Sequence, residues 1–273
     1  MKLHWGEWQA LICTEQGAAF SRLQWRGQDL LVPAPEGARH PSAYGAFWML
    51  PWANRLDGGR IAGHIMPINR TTEGTAIHGL ARDLPWEVIS AATDHAVLQQ
   101  YVQLAPFDYT AQLTVALDGD GVVMEMTVQH EGTAPAPYGM GWHPWFIRSA
   151  ATSLHLKATQ RANHNARGLP ESLSPCAGIV ADEAGLIGLD NFFAGWDGAA
   201  RLTTPAGNLI FTATGDFATG LQVYAPAASP IICVEPVSHM PDAPNRSALA
   251  AAAPMRMLGQ GQALHGTIRL TAA

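Results

Sequence analysis

Charge is scarce in this 273-residue chain: only 14% of its residues are Asp, Glu, Lys or Arg, and no basic run occurs along it. With a net charge of −6, it lacks the clustered Lys and Arg that a nucleic-acid backbone requires. It also lacks the basic amphipathic stretch of a membrane-surface binder. Cysteine is scarcer still. Cys13, Cys176 and Cys233 are odd in number and far apart, so neither a disulfide framework nor a CxxC zinc knuckle is implied, and a reducing compartment fits. No uncharged apolar stretch approaches the roughly 18 residues of a membrane span. The opening residues, MKLHWGEWQALICTEQGAAF, have no basic region followed by an apolar run, so the expected location is the cytoplasm. GxGxxG, GxxxxGK[ST], HxH and HExxH are all missing, which leaves the common cofactor, nucleotide and zinc signatures unrepresented. The expectation is no cofactor, no metal, no nucleic acid and no membrane.

What the chain does have is apolar residues, 48% of the total, arranged in short alternating segments. Tyr109 to Leu117 (YTAQLTVAL), the turn DGDG, and Val122 to His130 (VVMEMTVQH) form a strong hairpin signal. Further strands are expected at Ala96 to Leu104, Ser153 to Ala158, Asn208 to Ala213, Gly220 to Tyr224, Ile231 to Pro236 and His265 to Leu270. Helical periodicity is confined to a turn at Ser247 to Ala253, limited by Pro254. Many short strands with frequent turns imply an all-β fold, a large antiparallel β-sandwich. No linker-like shift in composition occurs, so one domain over residues 1–273 is expected.

Unusual residues gather in four segments: FWMLPWANRLDGGRI (Phe47 to Ile61), IHGLARDLPW (Ile77 to Trp86), YGMGWHPWF (Tyr138 to Phe146) and ICVEPVSHMPDAPNR (Ile232 to Arg246). Each has an ordinary explanation alone. Arg55 could pair with Asp57 at the surface, His78 could cap a turn before Gly79, and His143 before Pro144 could be a hydrogen-bonded structural residue. Glu235 resists this, because a carboxylate closing the apolar run Ile231 to Val234 would be costly to bury unpaired. Together, a carboxylate, histidines and an arginine set among Trp, Pro and Gly suit a carbohydrate cleft. Aromatic faces pack on sugar C–H faces while polar groups bind hydroxyls. Trp52, Trp86, Trp142 and Trp145 are available for that stacking.

These segments resemble the aldose 1-epimerase (galactose mutarotase-like) family. PWANRLDGGRI is similar to its Asn-Arg motif, IHGLARDLPW to its His-Gly segment, and GWHPWF to the segment with its second histidine. LDNFFAGWDG (Leu189 to Gly198) is similar to its Asp-containing loop and LQVYAP (Leu221 to Pro226) to its Gln-bearing strand. CVEPVSHMPDAPNR resembles the stretch that holds the family's glutamate. The matches run in family order from about residue 47 onward. The resemblance implies a supersandwich of antiparallel sheets and interconversion of α and β anomers of an aldose. It implies Glu235 as general base, His143 as general acid, and Arg55, His78, Asp190 and Gln222 as sugar-binding residues. Asn54 would orient Arg55, and Trp145 would contact the sugar. No cofactor is implied, the partner is a small-molecule sugar, and the protein is expected as a monomer or homodimer.

Three other functions stay open. A hexose-6-phosphate 1-epimerase needs extra cations for the phosphate, and Arg39, Arg70, Arg82 and Arg148 lie near the site segments in sequence. A non-catalytic sugar-binding module could use the same sandwich. A metal-dependent hydrolase could draw on dispersed ligands such as His78, His143 and His239.

Overall fold

Strict alternation dictates the architecture of this chain. In the strand Phe107–Leu117, every second residue from Phe107 to Leu117 is buried and the residues between face outward, the period-2 signature of a sheet with one face in a core. The Asp118 carboxylate accepts from the N–H groups of Asp120 and Gly121. That closes the turn into the strand Gly121–His130 with Leu117 opposite Val122.

The computed structural model describes residues 1–38 and 45–273, and strands account for 55% of the chain against 6% helix. Within the described residues a twelve-stranded sheet faces a nine-stranded one. The first sheet begins with the meander Lys2–Trp5, Trp8–Cys13 and Ala19–Trp25. It continues through Ala46–Met49, Gly141–Pro144, Ile231–Val237, Gly220–Ala225 and Leu189–Ala194, and ends with Gln160–His164 and Pro170–Pro175. The second sheet runs from Glu87–Ala91 through the long hairpin to Ala263–Ala272 and on to Ile179–Asp182. The six further strands expected from sequence are all present: His95–Leu104, Ser153–Leu156, Gly207–Gly215, Gly220–Ala225, Ile231–Val237 and Ala263–Ala272. A one-turn helix spans Ser247–Ala250. No helix among the described residues is long and apolar enough to cross a membrane.

The inner faces of the two sheets share one hydrophobic core. Large rings bridge the layers: Phe146 meets Phe211 edge-on at 5.2 Å, and Trp52 stacks on Phe107 at 5.9 Å. Such rings bury about 150–250 Å² each and dominate core energetics.

Candidate active site

The strands that build the core also build the site, because neighbouring residues point to opposite faces. Trp142, Val234, Leu221 and Val223 enter the inner core, whereas His143, Glu235 and Gln222 line a cleft on the outer face of the twelve-stranded sheet. Register sets their spacing. Gln222 lies directly opposite Glu235, Asp190 opposite Tyr224, and His143 opposite Phe47. A second apolar cluster that includes Phe47, Met49, Phe192, Val237 and Met240 flanks this cleft on the same face. It walls the polar groups off from solvent on one side.

Arg55 and His78 reach the cleft from the short paired strands Arg55–Asp57 and Thr75–Ile77. Asn54 and His78 both have left-handed backbone, with φ of 57° and 66°. That conformation is rare for residues other than glycine, and it is held only where surrounding structure enforces it. The enforcement is visible. The His78 N–H donates to the Asn54 carbonyl, and Asn69 brackets the Ile77 backbone with two hydrogen bonds. Gly79 follows at φ 70°, where a Cβ would stand 1.9 Å from the Leu50 carbonyl oxygen. The segment after Glu235 straps this loop from behind. His239 Nε2 accepts from the Ala53 N–H at 2.9 Å while its Nδ1–H donates to the Met240 carbonyl at 2.8 Å. The buried Asp242 carboxylate accepts from the Asp57 N–H, from Asn245 and from Arg246.

Asn54 orients Arg55: its Oδ1 accepts from the Arg55 N–H at 2.8 Å and from the guanidinium at 3.2 Å. Arg55 also donates from Nε to Glu73 at 2.8 Å and lies 3.9 Å from Asp190. Gly168 leaves room for it, since a Cβ there would sit 2.6 Å from the Arg55 Cζ. Gln222 donates to Asp190 at 2.7 Å. His143 Nε2 stands 3.5 Å from Glu235 Oε1, and His143 stacks on Phe47 with ring centroids 4.6 Å apart.

Burial controls the charges. Glu235, 2% exposed, has its pKa pushed well above the usual carboxylate range by burial and by nearby Asp190, with Arg55 opposing in part. His143 is depressed to about 3 by burial, then by Arg82, and further by Arg70. His78 is likewise lowered by burial, next by His143. Burial also works against the Arg55 cation, but the Glu73 hydrogen bond and the surrounding carboxylates outweigh it and raise its pKa. Burial thus favours the uncharged form of both members of the pair at the cleft floor, Glu235 and His143. Nδ1 of His78, Nδ1 of His143, Oε1 of Gln222 and Oε2 of Glu235 are all buried without a protein partner. Such atoms are few in native proteins, and four gathered in one site call for polar partners, ordered water or a ligand. Among the described residues, one group has the makings of a metal site: His143, Cys233 and Glu235, whose ligand atoms all lie within 4.8 Å.

The structure thus brings together Asn54, Arg55, His78, His143, Asp190, Gln222 and Glu235 around a cleft of about 210 Å³. It also corrects several expectations. Trp145 is outside the cleft lining and packs edge-on against Phe47 and His143 at 6.4 and 5.8 Å. Trp52, Trp86 and Trp142 belong to the inner core, so stacking on tryptophan is not how this cleft is lined. Tyr224 is the aromatic side chain in it, unforeseen from sequence, whereas Arg70, one of the cations considered for a phosphate, does line it together with Glu73. Arg148 is tied to Glu183 and to the carbonyls of Ile231, Pro226 and Ser229. Arg82 is buried over the Phe47 ring, and Arg39 falls outside the described residues. His239 is a structural pin. A larger depression of about 870 Å³ lies on the outer face of the nine-stranded sheet near Ser153, His155, Arg201 and Asn208. Its Ser153, Thr203 and Asn208 side chains already bond one another, and it holds none of the buried unpartnered groups.

Comparison with known proteins identifies the fold and the family. An uncharacterised Escherichia coli K12 protein, YphB, is 26% identical over 252 residues, covering 85% of this chain and 86% of that protein. A galactose mutarotase-like protein from Clostridium acetobutylicum superposes with a TM-score of 0.83 at 16% identity, covering all of this chain and 94% of the other. The GalM/aldose epimerase homologue from C. elegans gives 0.83 at 15% identity, over all of this chain and 98% of its own. These likenesses establish the galactose mutarotase-like fold. The sequence model of the family described as aldose 1-epimerase matches residues 8–271, nearly the whole chain, and the protein belongs to the aldose 1-epimerase family.

Proposed function

We propose that the protein is an aldose 1-epimerase that interconverts the α and β anomers of a free aldose, with Glu235 as base and His143 as acid. The observation that carries this reading is the buried carboxyl–imidazole pair, 3.5 Å apart, at the floor of a cleft edged by unpartnered polar atoms. A cleft of about 210 Å³ is smaller than the roughly 300–1,000 Å³ that drug-sized ligands occupy, which suits one sugar ring.

The reaction needs only proton transfers. The Glu235 carboxylate takes the proton of the C1 hydroxyl. As the C1–O5 bond breaks and the C1 carbonyl forms, the His143 imidazolium gives its proton to O5. Rotation about C1–C2 exposes the other carbonyl face, and reclosure reverses both transfers. Carboxylate with imidazolium carries the same single proton as the acid with neutral imidazole. One transfer across the pair therefore converts the resting form into the working form. Arg55, His78, Asp190 and Gln222 orient the sugar hydroxyls, and no cofactor enters the balance. Each positioned transfer is worth about 10²–10⁴-fold.

A second reading has one observation in its favour. Arg70 is exposed at the edge of the cleft, where its charge acts on Glu73, so a phosphorylated aldose would find a guanidinium there. Anomeric exchange measured by NMR on glucose, galactose, arabinose and a hexose 6-phosphate separates the two. Accelerated exchange, lost in Glu235→Gln and His143→Ala, is expected. A folded protein that accelerates exchange of no sugar in the panel counts against catalysis and for a binding module.

A further inference from the structure

Cys233 is not needed by the chemistry above, yet the alternation of its strand places it on the cleft side. It sits two residues before Glu235, fully buried, with its thiol reduced. A buried thiol ordinarily packs as a small hydrophobe. Here its sulfur, the Glu235 carboxylate and a His143 ring nitrogen lie within 4.8 Å of one another. Glu235 Oε2 and His143 Nδ1 have no partner in the protein. Both residues line the cleft, which gives a path from solvent.

We propose that His143, Cys233 and Glu235 bind a single thiophilic divalent cation, Zn²⁺ in the first instance, and that the bound ion silences the acid–base pair. The donor set is one sulfur, one nitrogen and one oxygen. That suits zinc, whereas calcium and magnesium need oxygen cages. At zinc bond lengths of about 2.0–2.3 Å, tetrahedral ligand atoms sit roughly 3.3–3.8 Å apart. The His143–Glu235 pair at 3.5 Å is already in that range, and the sulfur, within 4.8 Å of both, has at most about 1.5 Å left to close. As the bonds form, the thiol and carboxyl protons leave to solvent. Two anionic ligands then neutralise the dication in a place where burial opposes an isolated charge. The fourth position opens to the cleft. With its electron pairs engaged by the metal, the Glu235 carboxylate no longer accepts the C1 proton and His143 no longer carries one to O5.

Inhibition rests on the epimerase reading, but binding does not, so the two are measured separately. Cobalt(II) is titrated into the full-length protein, and the near-ultraviolet thiolate-to-cobalt charge-transfer band is followed. Zinc affinity is then measured by calorimetry, and zinc inhibition by anomeric exchange. The expected result is one equivalent of cobalt with a thiolate band that Cys233→Ala and Cys233→Ser abolish. Zinc affinity in those variants falls by more than the ~10–100-fold that losing an outer partner of a metal ligand costs, while their exchange without zinc stays at the wild-type rate. No band at saturating cobalt, a band unchanged in Cys233→Ala, or equal zinc inhibition of both proteins would overturn the proposal. The cobalt titration of the wild type decides the site even if a variant folds poorly or no sugar is turned over.

Discussion

Replacing Glu235 with Gln separates a catalytic carboxylate from a structural one, because activity and stability should move in opposite directions. Gln has the shape of the protonated acid that burial favours here, so packing is kept while the base is lost. Losing one positioned proton transfer costs about 10²–10⁴-fold in rate, or roughly 2.7–5.4 kcal/mol at 1.36 kcal/mol per decade. Stability follows from linkage. The unfolded carboxyl ionises near 4.5, whereas the folded one holds its proton to higher pH. The contribution of Glu235 to wild-type stability is therefore complete below pH 4.5 and declines as pH rises toward the folded pKa, by about 1.36 kcal/mol per pH unit. Glu235→Gln lacks that loss. At pH 7 the variant should melt at or above the wild-type temperature, with the advantage gone near pH 4, while anomeric exchange at saturating sugar collapses. A melting temperature several degrees lower, or exchange at the wild-type rate, would refute the reasoning.

The buried histidines predict the acid limb. Burial depresses His239 to about 4 against an ordinary 6.5, so its contribution is complete above pH 6.5 and is lost as pH falls toward 4, roughly 3 kcal/mol in all. His143 acts in the same direction. In Glu235→Gln, where the opposing carboxyl is gone, urea unfolding midpoints should fall between pH 7 and pH 4.5 with an unchanged slope, and a flat profile in that variant would contradict neutral, buried histidines. At Gly79 an added Cβ meets the Leu50 carbonyl oxygen at 1.9 Å on a left-handed backbone. Gly79→Ala should therefore cost more than the ~1–3 kcal/mol of an ordinary strained residue, and about 2–4 °C of melting temperature per kcal/mol. A variant melting with the wild type would mean that His78 is not held in place as described.

Much of the fold was legible in the chain because alternation is a local signal. The hairpin around Asp118 carries its own register in the sequence, and the closing strand lies within a few residues of where the pattern puts it. The amino-terminal meander was harder to read, since Trp5 and Trp8 flank a two-residue turn and the first strand buries only Leu3. The site was legible where a polar residue interrupts an apolar strand. Glu235 after Ile232, Cys233 and Val234 is such a case. Roles set by long-range packing were not legible. Whether a tryptophan faces core or cleft is decided by register with distant strands, which put Trp142 inside and left Trp145 beside His143. Glu73 entered only through its bond to Arg55, and Asp242 serves the Asn54–Arg55 loop from behind. No local pattern encodes these choices.

The interleaving of core and cleft residues along the same strands bears on how the molecule fails. His143 follows Trp142, Glu235 follows Val234, and Gln222 lies between Leu221 and Val223. Each of these groups therefore sits on a strand whose adjoining residues are buried in the core. Partial openings of proteins draw on segments with few buried contacts, and the floor of this cleft has no such segment. The Glu235–His143 pair should stay assembled through every fluctuation short of global unfolding. Heat would then abolish its geometry in a single step with the sandwich itself, instead of eroding it beforehand.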